Sequence, residues 1–144
     1  MIYTVYDPIT GKIQCTLTGS SAGDLALNLE GKTYIAGSFD DQHYYIVDGQ
    51  AVPKAADPST SLKKYYFDDA GKQWVINTDT TERLARSYRS IMLALVDKIN
   101  PIWWAELSPT EQQAVVDFRY QLLNVPQQEG FPADINWPEK PTFL

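Results

Sequence analysis

Apolar positions recur along this chain with two periods. As far as residue 77 they come in short alternating runs, four to seven residues long, separated by Gly, Pro, Asp and Asn. That is the period of strands with one covered face. From Leu84 onward they return every three or four residues, the period of an amphipathic helix.

The first runs predict an antiparallel sheet. Residues 2–6, Ile-Tyr-Thr-Val-Tyr, are β-branched and aromatic. Asp7-Pro8-Ile9-Thr10-Gly11 is turn chemistry, and residues 12–18 are the partner strand. Strict alternation would put Ile13, Cys15 and Leu17 on one face. Cys15 is then a small core residue rather than a reactive thiol, since no base lies near it in sequence. Residues 25–29 fit a short strand or one helical turn. Residues 33–37 and 43–47 read as strands, and Asp48-Gly49 is a hairpin signal leading into residues 50–53. Residues 54–61 have linker composition. Residues 62–67 and 73–76 flank Asp68-Asp69-Ala70-Gly71-Lys72 as a second hairpin. The two adjacent acids are turn residues in solvent rather than a metal or acid/base pair, because glycine and lysine follow them.

Two helices are predicted next. Leu84, Tyr88, Ile91, Met92, Leu95, Val96 and Ile99 form one stripe over residues 80–99. Asp79 and Glu82 are spaced as a capping box. Asn100-Pro101 ends that helix and starts a short turn carrying Trp103 and Trp104. Ser108-Pro109-Thr110-Glu111 then caps a helix running to about Asn124, with Val115, Phe118, Leu122 and Val125 inward. Pro126, Pro132, Pro138 and Pro141 hold the remainder extended, although it carries Phe131, Ile135 and Trp137. Such side chains need a cover.

The fold class is therefore α+β. It comprises a small antiparallel sheet over residues 1–53, a linker over 54–61 and a β-hairpin over 62–77. A helical hairpin with an extended Pro-rich tail occupies 78–144.

Composition narrows the chemistry. A net charge of −6 lacks the basic footprint of a nucleic-acid surface. Only residues 78–99 are mildly basic, with four Lys/Arg against three Asp/Glu; residues 100–144 hold two against six. One cysteine and one histidine make neither an internal disulfide nor a Cys/His zinc site, so no cofactor or metal is expected. No apolar run approaches a membrane span, and the N-terminus lacks a secretory pattern. An enzyme would need a nucleophile, a base and an orienter in one pocket. The single His43, in a strand, with no phosphate loop or nucleophile elbow, speaks against one.

The residues Phe118-Arg119-Tyr120-Gln121-Leu122-Leu123-Asn124-Val125-Pro126, then Gly130-Phe131-Pro132 and Ile135-Asn136-Trp137-Pro138, resemble a known signature. It is the C-terminal signature of phage tail assembly chaperone and tail-fibre-assembly-like proteins. Tyr6-Asp7-Pro8-Ile9-Thr10-Gly11 and Asp40-Asp41-Gln42-His43-Tyr44-Tyr45 similarly resemble small phage tail proteins. The pattern departs from the family at Tyr120, where Gln is common, and at Leu123 and Asn124, where charged residues are common.

The resemblance implies a non-enzymatic tail protein that binds a tail-fibre or baseplate protein as an attachment component of the virion tail. A transient chaperone acting in the host cytoplasm, and an accessory protein acting on a host target, are the alternatives. A homo-oligomer within a symmetric assembly is a further arrangement it allows, with no nucleic-acid or membrane partner. The expected partner-binding residues are Trp103, Trp104, Phe118, Arg119, Phe131, Ile135 and Trp137.

Overall fold

The computed structural model describes all of residues 1–144. The chain divides into two compact units, residues 1–58 with 66–75, and residues 59–65 with 76–144.

The first unit is built on β1 (Ile2–Tyr6), the middle strand of a three-stranded sheet. It pairs antiparallel with β2 (Ile13–Thr18) on one side and β3 (Tyr34–Ala36) on the other. The β1–β2 turn is tied by Asp7, whose Oδ1 accepts from the N–H groups of Ile9 at 2.7 Å and Thr10 at 3.0 Å. The Thr10 and Ile9 amides hold the Asp7 carboxyl below the usual aspartate range. Gly11 has φ +75°, and its carbonyl accepts from the Ile46 N–H at 2.9 Å. A Cβ on Gly11 would collide with the Ile46 carbonyl, so the position has no room for a side chain.

Cys15 is exposed, contrary to the alternation argument. Val5 lies opposite Cys15 but Tyr6 lies opposite Ile13, so Gln14 is an extra residue in β2. This bulge turns Ile13 to the other face of the sheet, where it is buried. Cys15 keeps the face of Val5 and Leu17, on an outer strand, and stays outside the cluster that Leu25 and Leu29 form there.

Residues 25–29 resolve as helix, in α1 (Ala22–Leu29). The Ser21 Oγ accepts from the Asp24 N–H at 3.2 Å, and Asp24 lies in the first turn where the helix dipole favours it. Leu25 and Leu29, four apart, pack on Val5 with Tyr3 and Leu17 alongside. On the other face Thr4 is fully buried. Its Oγ1 donates to the Gly37 carbonyl at 2.9 Å and accepts from the Phe39 N–H at 3.0 Å.

β4 (Tyr44–Val47) and β5 (Gln50–Pro53) form a hairpin through Asp48 at φ 50° and Gly49 at φ 72°. Two positive values at the turn match the handedness that strand twist requires. β6 (Tyr65–Asp68) and β7 (Gln73–Ile76) form the second hairpin. Asp68 Oδ1 accepts from the Ala70 N–H at 3.2 Å, and Asp69 lies 3.6 Å from the Lys12 ammonium, so both acids serve the turn and its surroundings. The Phe67 ring sits between Tyr45 and Trp74, with centroids 5.5 and 5.4 Å away, under the Lys54 ammonium.

In the second unit α2 (Thr78–Asp97) packs against α4 (Pro109–Asn124). The cap of α2 is Asn77, whose Oδ1 accepts from the Thr80 N–H at 3.0 Å; Asp79 lies inside the first turn instead of capping it. The helix therefore starts two residues earlier than its apolar stripe implies. The stripe is corrected too. Met92 and Val96 face the core, but Ile91 and Leu95 are exposed, and the buried positions of the earlier turns are the small Thr81 and Ala85. Thr81 Oγ1 accepts from the Lys64 N–H at 3.1 Å and donates to the Lys64 carbonyl at 3.4 Å. No helix is long and apolar enough to cross a membrane.

Candidate partner-binding surface

The helical unit carries all seven residues expected to bind a partner. α3 (Pro101–Glu106) is started by Asn100, whose Oδ1 accepts from the Ile102 N–H at 2.8 Å, with Pro101 in the first turn. It presents Trp103 and Trp104, both half-buried. Trp104 packs on the α2–α4 core, and the Trp103 ring lies 6.4 Å from that of Phe143.

α4 starts with a full capping box. Ser108 Oγ accepts from the Glu111 N–H at 3.2 Å, and Glu111 Oε2 accepts from the Ser108 N–H at 2.8 Å. The Ser108 amide, then its hydroxyl, keep the Glu111 carboxyl below the usual glutamate range. The far end of α4 is closed from α2. Arg89 Nε donates to the Leu122 carbonyl at 2.7 Å and Nη2 to the Leu123 carbonyl at 3.4 Å. Those carbonyls lie in the last turn, where the Val125 N–H also donates to the Leu122 carbonyl and the helix dipole favours a cation.

Phe118 is in the core with 3% of its surface exposed. Its neighbour Arg119 is at the surface, where Nε donates to Asp97 Oδ1 at 2.7 Å. Both partners are about half exposed, so the pair orients Arg119 more than it stabilises the fold.

After the 3₁₀ turn Val125–Gln127 the tail folds back onto its own unit. Gln128 grips Asn136 twice. Its Nε2 donates to the Asn136 carbonyl at 2.9 Å, and its Oε1 accepts from the Asn136 N–H at 2.8 Å. Trp137 meets Tyr88 of α2 edge to face, Phe131 lies beneath the Arg86 guanidinium at 5.3 Å, and Phe143 and Leu144 pack on the α2–α4 core. Ile135 shares a hollow of about 300 Å³ with Pro132, Trp137, Leu62 and Ala85. The cover that the tail's apolar residues needed is thus supplied by its own helices.

The structure brings Phe131, Ile135 and Trp137 together on α2, and groups Trp103 with Phe143. Phe118 stays inside and Arg119 outside. A further set escaped the sequence reading. Val116, Tyr120 and Leu123 lie on the outward side of α4, exposed by 49%, 67% and 37%. Their i, i+4, i+7 spacing was legible, but the stronger Val115–Phe118–Leu122 period claimed the helix.

No curated protein and no solved structure matches the chain. Residues 82–142, most of the helical unit, match the family model described as phage tail assembly chaperone protein. The match includes α4 and the Gln128–Asn136 clasp, the C-terminal stretch of the resemblance, and does not extend to residues 6–11 or 40–45. Over residues 82–142, 61 of its 144 residues, the chain is similar to the phage tail assembly chaperone family.

Proposed function

We propose that the protein assists the building of a bacteriophage tail without catalysis. It binds a tail-fibre or baseplate protein through its helical unit in the host cytoplasm and leaves before the particle is finished. Trp103, Trp104, Arg119, Phe131, Ile135 and Trp137 shape the contact surface, and Phe118 holds the two helices that carry it.

The family match over residues 82–142 supports an assembly role. One observation favours departure over retention: Trp137, Phe131 and Phe143 are covered by the protein's own residues. A permanent tail component could leave such side chains to its neighbour. A departing protein can keep these aromatics against its own residues throughout, although Val116, Tyr120 and Leu123 stay exposed.

Mass spectrometry of purified mature particles tests this, paired with particles made in the absence of the protein. Absence of the chain from particles, together with missing fibres or tails when it is deleted, is the expected result. Its presence in stoichiometric amount would make it a retained structural part. Normal particles without it would point to a role on a host target.

A further inference from the structure

We infer that the first unit holds a binding site for a neutral saccharide, in the hollow that the β4–β5 and β6–β7 hairpins share. The site lies outside residues 82–142 and is independent of the assembly reading above.

The hollow has a volume of about 820 Å³. Pockets that enclose a small molecule span about 300–1,000 Å³. The facing pair Tyr44 and Pro53 contributes from β4 and β5, Phe67 from β6 and Trp74 from β7. Its aromatic wall is fixed in advance. Trp74 Nε1 donates to the Ala55 carbonyl at 2.9 Å, and the indole meets Phe67 edge to face. Lys54, with only 5% of its side chain exposed, lies 4.3 Å from the centre of the Phe67 ring. Its ammonium also donates to the Asp41 carbonyl. A wall held this way loses little freedom when a ligand arrives.

The charges of the lining narrow the ligand. Two lysines and three aspartates border the hollow, and all five are engaged. Lys12 lies 3.6 Å from Asp69, Lys54 lies 3.7 Å from Asp41, and Asp57 has a partner of its own. An anion would have to draw a lysine away from its carboxylate. A cation would have to displace one. A peptide needs a free backbone edge or a continuous apolar groove. Here the Asp41 and Ala55 carbonyls are taken by Lys54 and Trp74, and the Lys54 N–H bonds to the His43 carbonyl at 2.7 Å.

The groups left to a ligand suit hydroxyls. Gln42 offers an amide that both donates and accepts. His43 Nδ1 is held by Asp40 Oδ1 at 2.7 Å, so Nε2 is the nitrogen left to a ligand. Asp41 Oδ1 is buried without a hydrogen bond, but the side chain is half exposed, so its other oxygen is the available acceptor. A sugar ring carries hydroxyls around its rim and C–H groups on its faces. The rim matches these three side chains. The C–H groups match the electron-rich faces of aromatic rings such as Trp74 and Phe67.

The test titrates the full chain with maltotriose, cellotriose and tri-N-acetylchitotriose, each to about 10 mM, a range that captures millimolar affinity. A hexose phosphate and an uncharged Gly/Ser/Ala peptide are the comparison ligands. The readout is the Trp74 indole N–H resonance, assigned with Trp74→Phe. The expected result is a saturable shift of Trp74 and of residues 42–44 with at least one saccharide. The double variant Gln42→Ala/His43→Ala should bind that saccharide at least tenfold more weakly. Both residues are exposed, so its melting midpoint should match the parent; if it does not, Gln42→Ala alone is used. No shift with any saccharide overturns the site. Equal affinity in the variant places the ligand elsewhere and overturns it too. Tighter binding of the hexose phosphate overturns the neutral class, and binding of the peptide instead would assign the hollow to a protein partner.

Discussion

The indole of Trp137 meets the Tyr88 ring edge to face, with centroids 4.7 Å apart and planes at 84°. The contact joins the last stretch of the chain to the middle of α2 and makes the tail part of the fold. Such a pair contributes about 0.5–1.5 kcal/mol beyond the area it covers. Trp137→Ala should therefore destabilise the helical unit by about 1–2 kcal/mol. Its thermal midpoint should fall by about 4–8 °C per kcal/mol for a unit of this size. An unchanged midpoint would mean that the tail is not docked in solution.

Arg89 is expected to be as sensitive, for a different reason. Its guanidinium serves two carbonyls at the end of α4, Leu122 and Leu123. Arg89→Met keeps much of the stem and removes both donors, at a cost of about 1.5–3 kcal/mol. Arg89→Lys should recover only part of this, because an ammonium lacks the planar fork. Denaturant midpoints for the pair of variants would decide the matter. Equal stability of the Arg89→Met variant and the parent would count against the bond.

Thr4 offers a parallel test in the β unit. It is completely buried and its hydroxyl both donates and accepts. Thr4→Val preserves shape but strands the Phe39 N–H and the Gly37 carbonyl, costing about 1–3 kcal/mol per buried group left unpaired. Thr4→Ser keeps the hydroxyl and should lose less. The reverse order, measured by chemical denaturation, would show that packing rather than hydrogen bonding governs the site.

The capping box makes a pH prediction. Glu111 and Asp7 both have carboxyls held below their ordinary range by backbone N–H donors. A depressed folded value means that the unfolded chain binds more protons in that window. The stabilisation is then complete above the ordinary carboxylate values of about 3.9–4.3. It is lost as pH falls through the lower folded values. Glu111→Gln should reduce the midpoint most near pH 7, and the gap to the parent should close below about pH 4. A gap independent of pH would assign the effect to something other than this titration.

What could be read from residues alone followed local chemistry. Ser108, Pro109 and Glu111 announced α4 because each fills a defined role within one turn, and Asp48-Gly49 announced its hairpin in the same way. Cys15 was misplaced because a bulge at Gln14 changes the register, and a bulge depends on the partner strand rather than on its own residues. The α2 seam was misjudged because Thr81 and Ala85 are small. The Lys64 backbone meets Thr81, and Ala85 lies beside Leu62, Pro132, Ile135 and Trp137, while the larger Ile91 and Leu95 remain outside. The tail's partner was hidden for the same reason: Tyr88 and Trp137 lie 49 positions apart, too far for any local period to connect.

A helix with apolar stripes on opposite sides has a colloidal consequence. Every copy exposes Val116, Tyr120 and Leu123, and a net charge of −6 opposes their approach to one another. That repulsion vanishes near the isoelectric point of about 4.6. Acidification, or concentrated salt, should bring the free protein into reversible clusters through these exposed side chains.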